Sequence, residues 1–461
     1  MTILLWLLIL FAIHAVALAK QRQFNITHGS SLTPITNSSW FSPSRNFAFG
    51  FYEQTNGYAV GISIVGMPNK TAVWTANRNS PVVPSNAVLL LTSDGRLIVH
   101  VGSQEISVIN PSRAIASASM LDKGNFVLYD SDRNVIWQSF DNPTNTLLPG
   151  QHISAGQELF SSASEADDSF GIFRLEMQHD GNLVQYPVDT ADSAPYAYYA
   201  TGTYRAGNNV TLNLDDDGLL YLHNSTNRLR NLTRGGYSRE RTIIYMLKID
   251  ADGILRVYSH SLNQQNSSMI WSSTDDRCIP KGLCGLNGFC TNTDDQARCL
   301  CLPGFDFVMP ENWSVGCERN FTAETCRLRE NTSKYYDMRT VENTVWEDST
   351  YVVLGRTTKE DCEQACLQDS NCEAALFKDT ECRKQRLPLR YGRRDLGNSN
   401  LALVKVGVNF IPNEGLPNQT VEETKGKKQR IDILIAGITL TVFALLVLGI
   451  SGFLIHRRKF Y

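Results

Sequence analysis

The chain has 461 residues and a formal net charge of −3 at pH 7, with a sequence pI near 6.3. At roughly 100 to 200 residues per domain, this length predicts three or four modules. No strong field of one sign is present to hold a polyanion, which excludes a nucleic-acid partner from the expected functions.

Residues 1–19, "MTILLWLLILFAIHAVALA", are apolar and end in Ala17-Leu18-Ala19, the small-x-small pattern of a signal-peptide cleavage site. An exported chain is therefore expected. Eleven Asn-x-Ser/Thr sequons agree with export: Asn25, Asn37, Asn69, Asn209, Asn224, Asn231, Asn266, Asn312, Asn320, Asn331 and Asn418. The eleven cysteines all lie between Cys278 and Cys382, a density suited to an oxidising compartment.

Residues 20–277 hold no cysteine and alternate short apolar runs with Asp-Gly, Asn-Gly and Pro, the pattern of an all-β region. A unit recurs five times: "LLLTSDGRLIVHV", "ASMLDKGNFVLYD", "RLEMQHDGNLVQYP", "LNLDDDGLLYLHN" and "LKIDADGILRVYS". Each copy reads as a hairpin with a glycine turn, able to build sheets by burying one face against its neighbours.

The third copy places Gln178, Asp180, Asn182, Val184 and Tyr186 two residues apart, so that in a strand they share one face. The other copies keep this row only in part, for example Thr92, Asp94, Arg96, Ile98 and His100 in the first, or Asp250, Asp252, Ile254, Arg256 and Tyr258 in the fifth. Gln178 and Asn182 are on this reading surplus to the hairpin and retained for a ligand. The alternative is ordinary turn chemistry with apolar flanks, because Asp180-Gly181 is a common turn pair.

Gln178-x-Asp180-x-Asn182-x-Val184-x-Tyr186 matches the mannose-binding motif of bulb-type lectins. With "AVWTANRNSPV" from Ala72 and "WQSFDNPTNTLLPGQ" from Trp137, the chain resembles the plant G-type (S-domain) lectin receptor-like serine/threonine kinases. The resemblance implies a mainly β fold with tandem β-prism II lectin domains at 20–150 and 151–277, meeting near Pro149-Gly150. It also implies that Gln178, Asp180 and Asn182 hydrogen-bond the 2- and 3-hydroxyls of mannose, that Tyr186 reaches the 4-hydroxyl, and that Val184 packs on the ring carbons.

Residues 278–317 carry Cys278, Cys284, Cys290, Cys299, Cys301 and Cys317 and resemble an EGF-like module. That likeness implies pairing of 278 with 290, 284 with 299, and 301 with 317, although six cysteines permit fifteen connectivities. So short a segment buries little core, and disulfides are expected to supply its stability.

Residues 326–407 resemble a PAN/apple-like module with Cys326, Cys362, Cys366, Cys372 and Cys382. Thr357 and Glu360 read as a capping box, and Cys362 and Cys366 lie one turn apart on a helix that can be stapled as 362 to 382 and 366 to 372. Cys326 is left over. No metal or cofactor is expected.

Residues 408–432 read as a stalk. The uncharged run at 433–455 has 23 residues, long enough at ~1.5 Å per residue to cross a ~30 Å hydrocarbon core, and a stub follows at 456–461. Together these predict a single-pass type I plasma-membrane protein with its ectodomain outside.

The final "HRRKFY" carries none of the glycine-loop, lysine-strand or catalytic-loop parts of a kinase, so a chain without enzymatic activity is expected. The expected function is recognition of mannose-type glycans or glycoproteins, in defence or self-recognition, with signalling through a kinase-bearing relative in a homo- or hetero-oligomer. Two alternatives stand beside it: a co-receptor or decoy that binds protein and no sugar, and a truncated product of a receptor kinase.

Overall fold

The computed structural model describes residues 26–407 apart from 37, 68–70, 241, 294–295, 322–335 and 348–349. The expected signal peptide, stalk, membrane span, stub, Cys326 and the sequons at Asn25, Asn37, Asn69, Asn331 and Asn418 lie outside the described residues. Among the described residues, no helix is long and apolar enough to cross a membrane.

Two groups of three four-stranded antiparallel sheets make up residues 26–272. In the first prism, the hairpins built on Phe47–Gln54 and Gly57–Ile64, Val88–Leu91 and Leu97–Val101, and Ser117–Met120 and Phe126–Tyr129 form the three sides. Each side is completed by a short edge strand from the chain start: Trp40–Phe41, Ser31–Leu32 and Ile26–Thr27. The second prism repeats this plan, with edge strands Thr146–Leu147, His152–Ile153 and Glu158–Ser162, the first of which lies just upstream of Pro149-Gly150.

The glycine turns that define the repeat are alike in backbone. Gly95, Gly124, Gly181, Gly218 and Gly253 have φ of 80°, 87°, 90°, 75° and 81°, a region that side chains bearing a Cβ rarely occupy. At Gly181 a Cβ would also meet Gly207 O at 2.9 Å, so the turn is pressed against the next segment.

Four of the five copies share a second device. Just after the turn, the backbone N–H of Phe126, Leu183, Leu220 or Leu255 donates to the hydroxyl of Ser139, Thr201, Thr233 or Ser273 in the following segment. A buried amide is thereby satisfied where the sheet ladder does not reach it.

The first prism is filled by aromatic rings. Phe49 and Phe126 stack with centroids 3.8 Å apart, Trp40 lies beside both, and Trp74 meets Trp137 edge-on at 5.5 Å. Ile244 and Met246 of the second prism belong to the same buried cluster, so the two prisms share core.

Polar staples add to this join. The Arg78 guanidinium, buried, donates to the carbonyls of Asp168, Phe160 and Ser161 at 2.6, 2.9 and 2.8 Å. Burial lowers its pKa to about 10. Tyr52 donates to Asp168 at 2.9 Å, and the Trp74 indole N–H donates to Asn142 O at 2.8 Å. The motif residues Trp74 and Arg78 are thus structural, with their polar atoms spent on backbone carbonyls.

Beyond the prisms the chain is rich in disulfides. Cys278–Cys290, Cys284–Cys299 and Cys301–Cys317 surround the hairpin Gly288–Thr293 and Gln296–Cys301. Cys362–Cys382 and Cys366–Cys372 tie the helix Lys359–Leu367 to its surroundings, beside a five-stranded sheet.

The helix cap differs from the expectation by one residue. Thr358 is the N-cap: its backbone is extended at φ −87° and ψ 169°, and its hydroxyl accepts the Asp361 N–H at 3.1 Å, while the Thr357 N–H donates to Thr380 O at 3.0 Å. The two cysteine-rich segments also share a sheet: Gly288–Thr293 pairs in parallel with Arg390–Arg394, which pairs in turn with Thr344–Glu347. Gly392 permits this close approach, since a Cβ there would meet Gly288 O at 2.3 Å.

Candidate glycan-binding strip

Gln178, Asp180 and Asn182 lie in the turn between Phe170–Met177 and Leu183–Pro187, and only Val184 and Tyr186 lie in a strand, so the five residues do not share one strand face as expected. Gln178 N donates to Asn182 O at 2.9 Å and Gly181 N to Gln178 O at 3.0 Å, so Asp180 sits at the tip. The Asp180 side chain is exposed, and one of its oxygens accepts the Asn182 N–H at 2.9 Å.

Two members of the row meet directly. Gln178 Nε2 donates to the Tyr186 hydroxyl at 2.9 Å, joining the tip to the far end of the strip. Desolvation by burial raises the Tyr186 pKa, which keeps the phenol neutral.

Asn182 has a different task from the one expected. Its Oδ1 accepts both the Thr203 N–H and the Thr201 hydroxyl at 3.1 Å. In the second copy Asn125 does the same, accepting the Phe140 N–H and the Ser139 hydroxyl at 3.2 Å. Asn182 is therefore not surplus to folding: it brackets the hairpin to the next segment, and only its Nδ2 is left to meet a ligand.

The apolar end of the strip is covered. Val184 is 2% exposed and Tyr186 3%. Val184 therefore forms floor beneath the strip in this conformation, not the open patch that ring carbons would need. Arg174 lies opposite Tyr186 and places its guanidinium 4.8 Å from the ring centroid. It is held there by Glu158 and Glu176, each at 2.8 Å, by Thr190 O at 3.0 Å and by Asp192. Pairing with Thr190 and Asp192 fastens the segment after Pro187 against the strip.

In the three other rows that carry carboxylates, those carboxylates are paired with cations. In the fourth copy Tyr221 donates to Asp215 at 3.2 Å and Arg239 pairs with Asp217 at 2.8 Å. In the fifth, Arg256 lies 2.6 Å from Asp250 and 2.7 Å from Asp252, and Tyr258 donates to Asp250. In the first, Arg96 pairs with Asp94 and Glu105. Only the third row keeps an exposed carboxylate without a cationic partner among the described residues.

Of the expected glycosylation sites within the described residues, Asn209, Asn231, Asn266, Asn312 and Asn320 are exposed. Asn224 is half-buried and its side chain accepts the N–H groups of Thr226 and Asn227. Among the described residues, no cluster of His, Cys, Asp or Glu could hold a metal ion.

The family model for D-mannose binding lectin matches residues 71–164, and that for the S-locus glycoprotein domain matches residues 199–309. A G-type lectin S-receptor-like serine/threonine-protein kinase of Oryza sativa subsp. indica is 31% identical over 84% of this chain and 51% of the relative. One of Arabidopsis thaliana is 28% identical over 94% of this chain and 54% of the relative. The chain thus spans about half the length of the curated relatives it matches. Among solved structures, a monomeric monocot mannose-binding lectin from Gastrodia elata is similar at 23% identity, covering 29% of this chain and 98% of that one, with a TM-score of 0.22.

Proposed function

We propose that this chain, which matches the D-mannose binding lectin and S-locus glycoprotein models and is 31% identical to a G-type lectin S-receptor-like kinase, is a cell-surface recognition protein for mannose-type glycans or glycoproteins. The observation that carries this reading is the exposed, uncompensated Asp180 carboxylate beside a Gln178 amide that is bonded to the Tyr186 hydroxyl. Vicinal sugar hydroxyls require acceptors and donors at fixed spacing, and Asp180, the Gln178 carbonyl and Asn182 Nδ2 supply both kinds.

Access to Tyr186 requires the Arg174 clamp to release the segment that carries Thr190 and Asp192. Part of the binding energy is spent on that opening, so affinity is reduced by the fraction of molecules closed at any moment.

The domain plan is part of the proposal: lectin prisms over 20–150 and 151–277, an EGF-like module over 278–317 and a PAN/apple-like module over 326–407. So is a single-pass type I position in the plasma membrane, supported by the apolar run at 433–455. Signalling through a kinase-bearing relative, in a homo- or hetero-oligomer, draws its support from the kinase names of the curated relatives.

A second reading has its own observation. The burial of Val184 and Tyr186 favours a receptor that binds protein and uses no sugar at this strip. Titrating mannotriose into the intact chain separates the two. Under the glycan reading, Asp180→Ala removes the binding heat while stability falls by no more than the exposed turn hydrogen bond to the Asn182 N–H, about 1 kcal/mol, and Asp192→Ala, which loosens the Arg174 clamp, raises the affinity. Equal binding by wild type and Asp180→Ala rejects the strip, and no binding by any form favours protein recognition.

A further inference from the structure

The outward sheet face that carries the strip continues sideways. Val184 lies opposite Glu176, which lies opposite Glu158; Tyr186 lies opposite Arg174, which lies opposite Phe160. Two strand spacings, about 10 Å, separate Val184 and Tyr186 from the edge strand Glu158–Ser162, and the level of Phe160 lies four residues, about 13 Å, along the sheet from Gln178. There a cleft of about 410 Å³ opens between the prisms.

Asn77, Asn79 and Ser80 of the first prism form one wall of the cleft, and Glu158, Phe160 and Phe170 of the second form the other. Phe170 is 46% exposed, an unusual position for a phenylalanine beside amides and a hydroxyl. Its ring is not loose. Phe160 meets it edge-on at 5.2 Å, and the Arg78 guanidinium backs it at 4.7 Å from the centroid. Because three backbone carbonyls hold Arg78, the ring is a platform fixed before any ligand arrives.

The chemistry of the cleft narrows its occupant. A pyranose offers an apolar C–H face and a rim of hydroxyls, which suits an aromatic floor ringed by amide, hydroxyl and carboxylate groups. A peptide adding itself as a strand is disfavoured, because the Phe160 N–H at this sheet edge already donates to Thr144 O at 3.1 Å. Glu158 joins the two places, since it lines the cleft and also holds the Arg174 clamp over Tyr186.

We infer that the inter-prism cleft is a second saccharide subsite, which takes the inner residues of an oligosaccharide whose terminal residue sits at Gln178, Asp180 and Asn182. This rests on the glycan reading of the strip. It makes the receptor selective for chain length, and the two prisms contribute jointly to one ligand.

The test is calorimetric titration of the intact chain with methyl α-mannoside, mannobiose and mannotriose. Affinity is expected to rise about tenfold from the monosaccharide to the trisaccharide, a gain of about 1.4 kcal/mol. Phe170→Ala is expected to remove that gain and leave the monosaccharide affinity unchanged, and Phe170→Trp to retain it, which separates loss of the platform from misfolding. Affinity independent of chain length, or a trisaccharide gain that survives Phe170→Ala, overturns the subsite while leaving the strip intact. Absence of binding by every sugar overturns the strip and the subsite together.

Discussion

The third and fifth copies of the hairpin unit share a turn, a register and a tyrosine, yet they have opposite fates. In the third, position one is Gln178, position four is Val184, and the Asp180 carboxylate remains in solvent. In the fifth, position one is Asp250 and position four is Arg256, whose guanidinium closes on Asp250 and Asp252 together. Met246, opposite Tyr258, and Ile244, opposite His260 just beyond the row, belong to the core shared with the first prism. One amphipathic row has become an internal ion cluster at the prism junction, and its sister has stayed at the surface with its carboxylate uncompensated. The rows differ at three positions, Gln178 against Asp250, Asn182 against Ile254 and Val184 against Arg256, and the first and last of these decide whether the carboxylates are closed off, since turn and ladder are alike.

The sharpest way to break the comparison is to strip the fifth row of its cation. Burial already lifts the Asp250 carboxyl above the usual carboxylate range, with Arg256 and Tyr258 opposing that rise. Arg256→Leu removes the counter-charge and leaves two carboxylates together, at an expected cost of about 3–5 kcal/mol in chemical denaturation. Val184→Leu at the same position of the third row adds one methylene to a covered site and should cost about 1–3 kcal/mol. Equal losses at the two sites would show that the ion cluster contributes no more than packing.

The next residue along the fifth row sharpens the contrast through pH. His260 is 3% exposed, and among the described residues neither ring nitrogen has a hydrogen-bond partner. Desolvation, with Lys248 adding to it, lowers its pKa from 6.5 to about 4. The fold therefore favours the neutral ring. Between pH 6.5 and 4 the unfolded chain binds a proton that the folded chain refuses, so stability falls as pH drops through this window. The expected loss is about 2–3 kcal/mol by pH 4. His260→Leu should flatten this part of the profile in thermal melts run at pH 7, 5.5 and 4, whereas a substitution at Val188, the equivalent place in the third row, should leave it unchanged.

Much of this architecture is legible in the sequence. The five glycine turns announced the hairpins because a left-handed turn residue and flanking alternation are local properties of the chain. The row from Gln178 to Tyr186 was legible only in part: spacing of two puts Val184 and Tyr186 on one strand face, but Gln178, Asp180 and Asn182 lie in the connecting turn, where the two-residue period does not hold. Long-range partners were not legible. Nothing near Arg78 in sequence signals that its hydrogen bonds end on carbonyls more than eighty residues away. Nor does the strip announce that Arg174, Thr190 and Asp192 close over it. The hydroxyl brackets were visible in principle, as Ser139 and Thr233 follow their turn glycine by 15 residues and Thr201 and Ser273 by 20, but that signal emerges only when the copies are aligned by their glycines. The parallel pairing of Gly288–Thr293 with Arg390–Arg394 joins segments a hundred residues apart, and two cysteine frameworks read separately do not predict it.

The finest distinction lies within a single amide. Asn182 and Asn125 both turn Oδ1 toward a backbone N–H and a hydroxyl of the next segment, so truncating either to alanine leaves an amide unsatisfied, at an expected cost of about 1–2 kcal/mol. Loss of sugar binding in Asn182→Ala therefore cannot be ascribed to a lost ligand contact, because the hairpin itself is loosened. Asn182→Asp resolves this: a carboxylate oxygen still accepts the Thr203 N–H, while the Nδ2 donor is gone. Stability is expected within about 0.5 kcal/mol of wild type. Under the glycan reading, mannose affinity should still drop, because a hydroxyl oxygen loses its donor and faces a carboxylate. Unchanged affinity in Asn182→Asp would confine Asn182 to its bracket, as in the second copy, and leave recognition to Gln178, Asp180 and Tyr186.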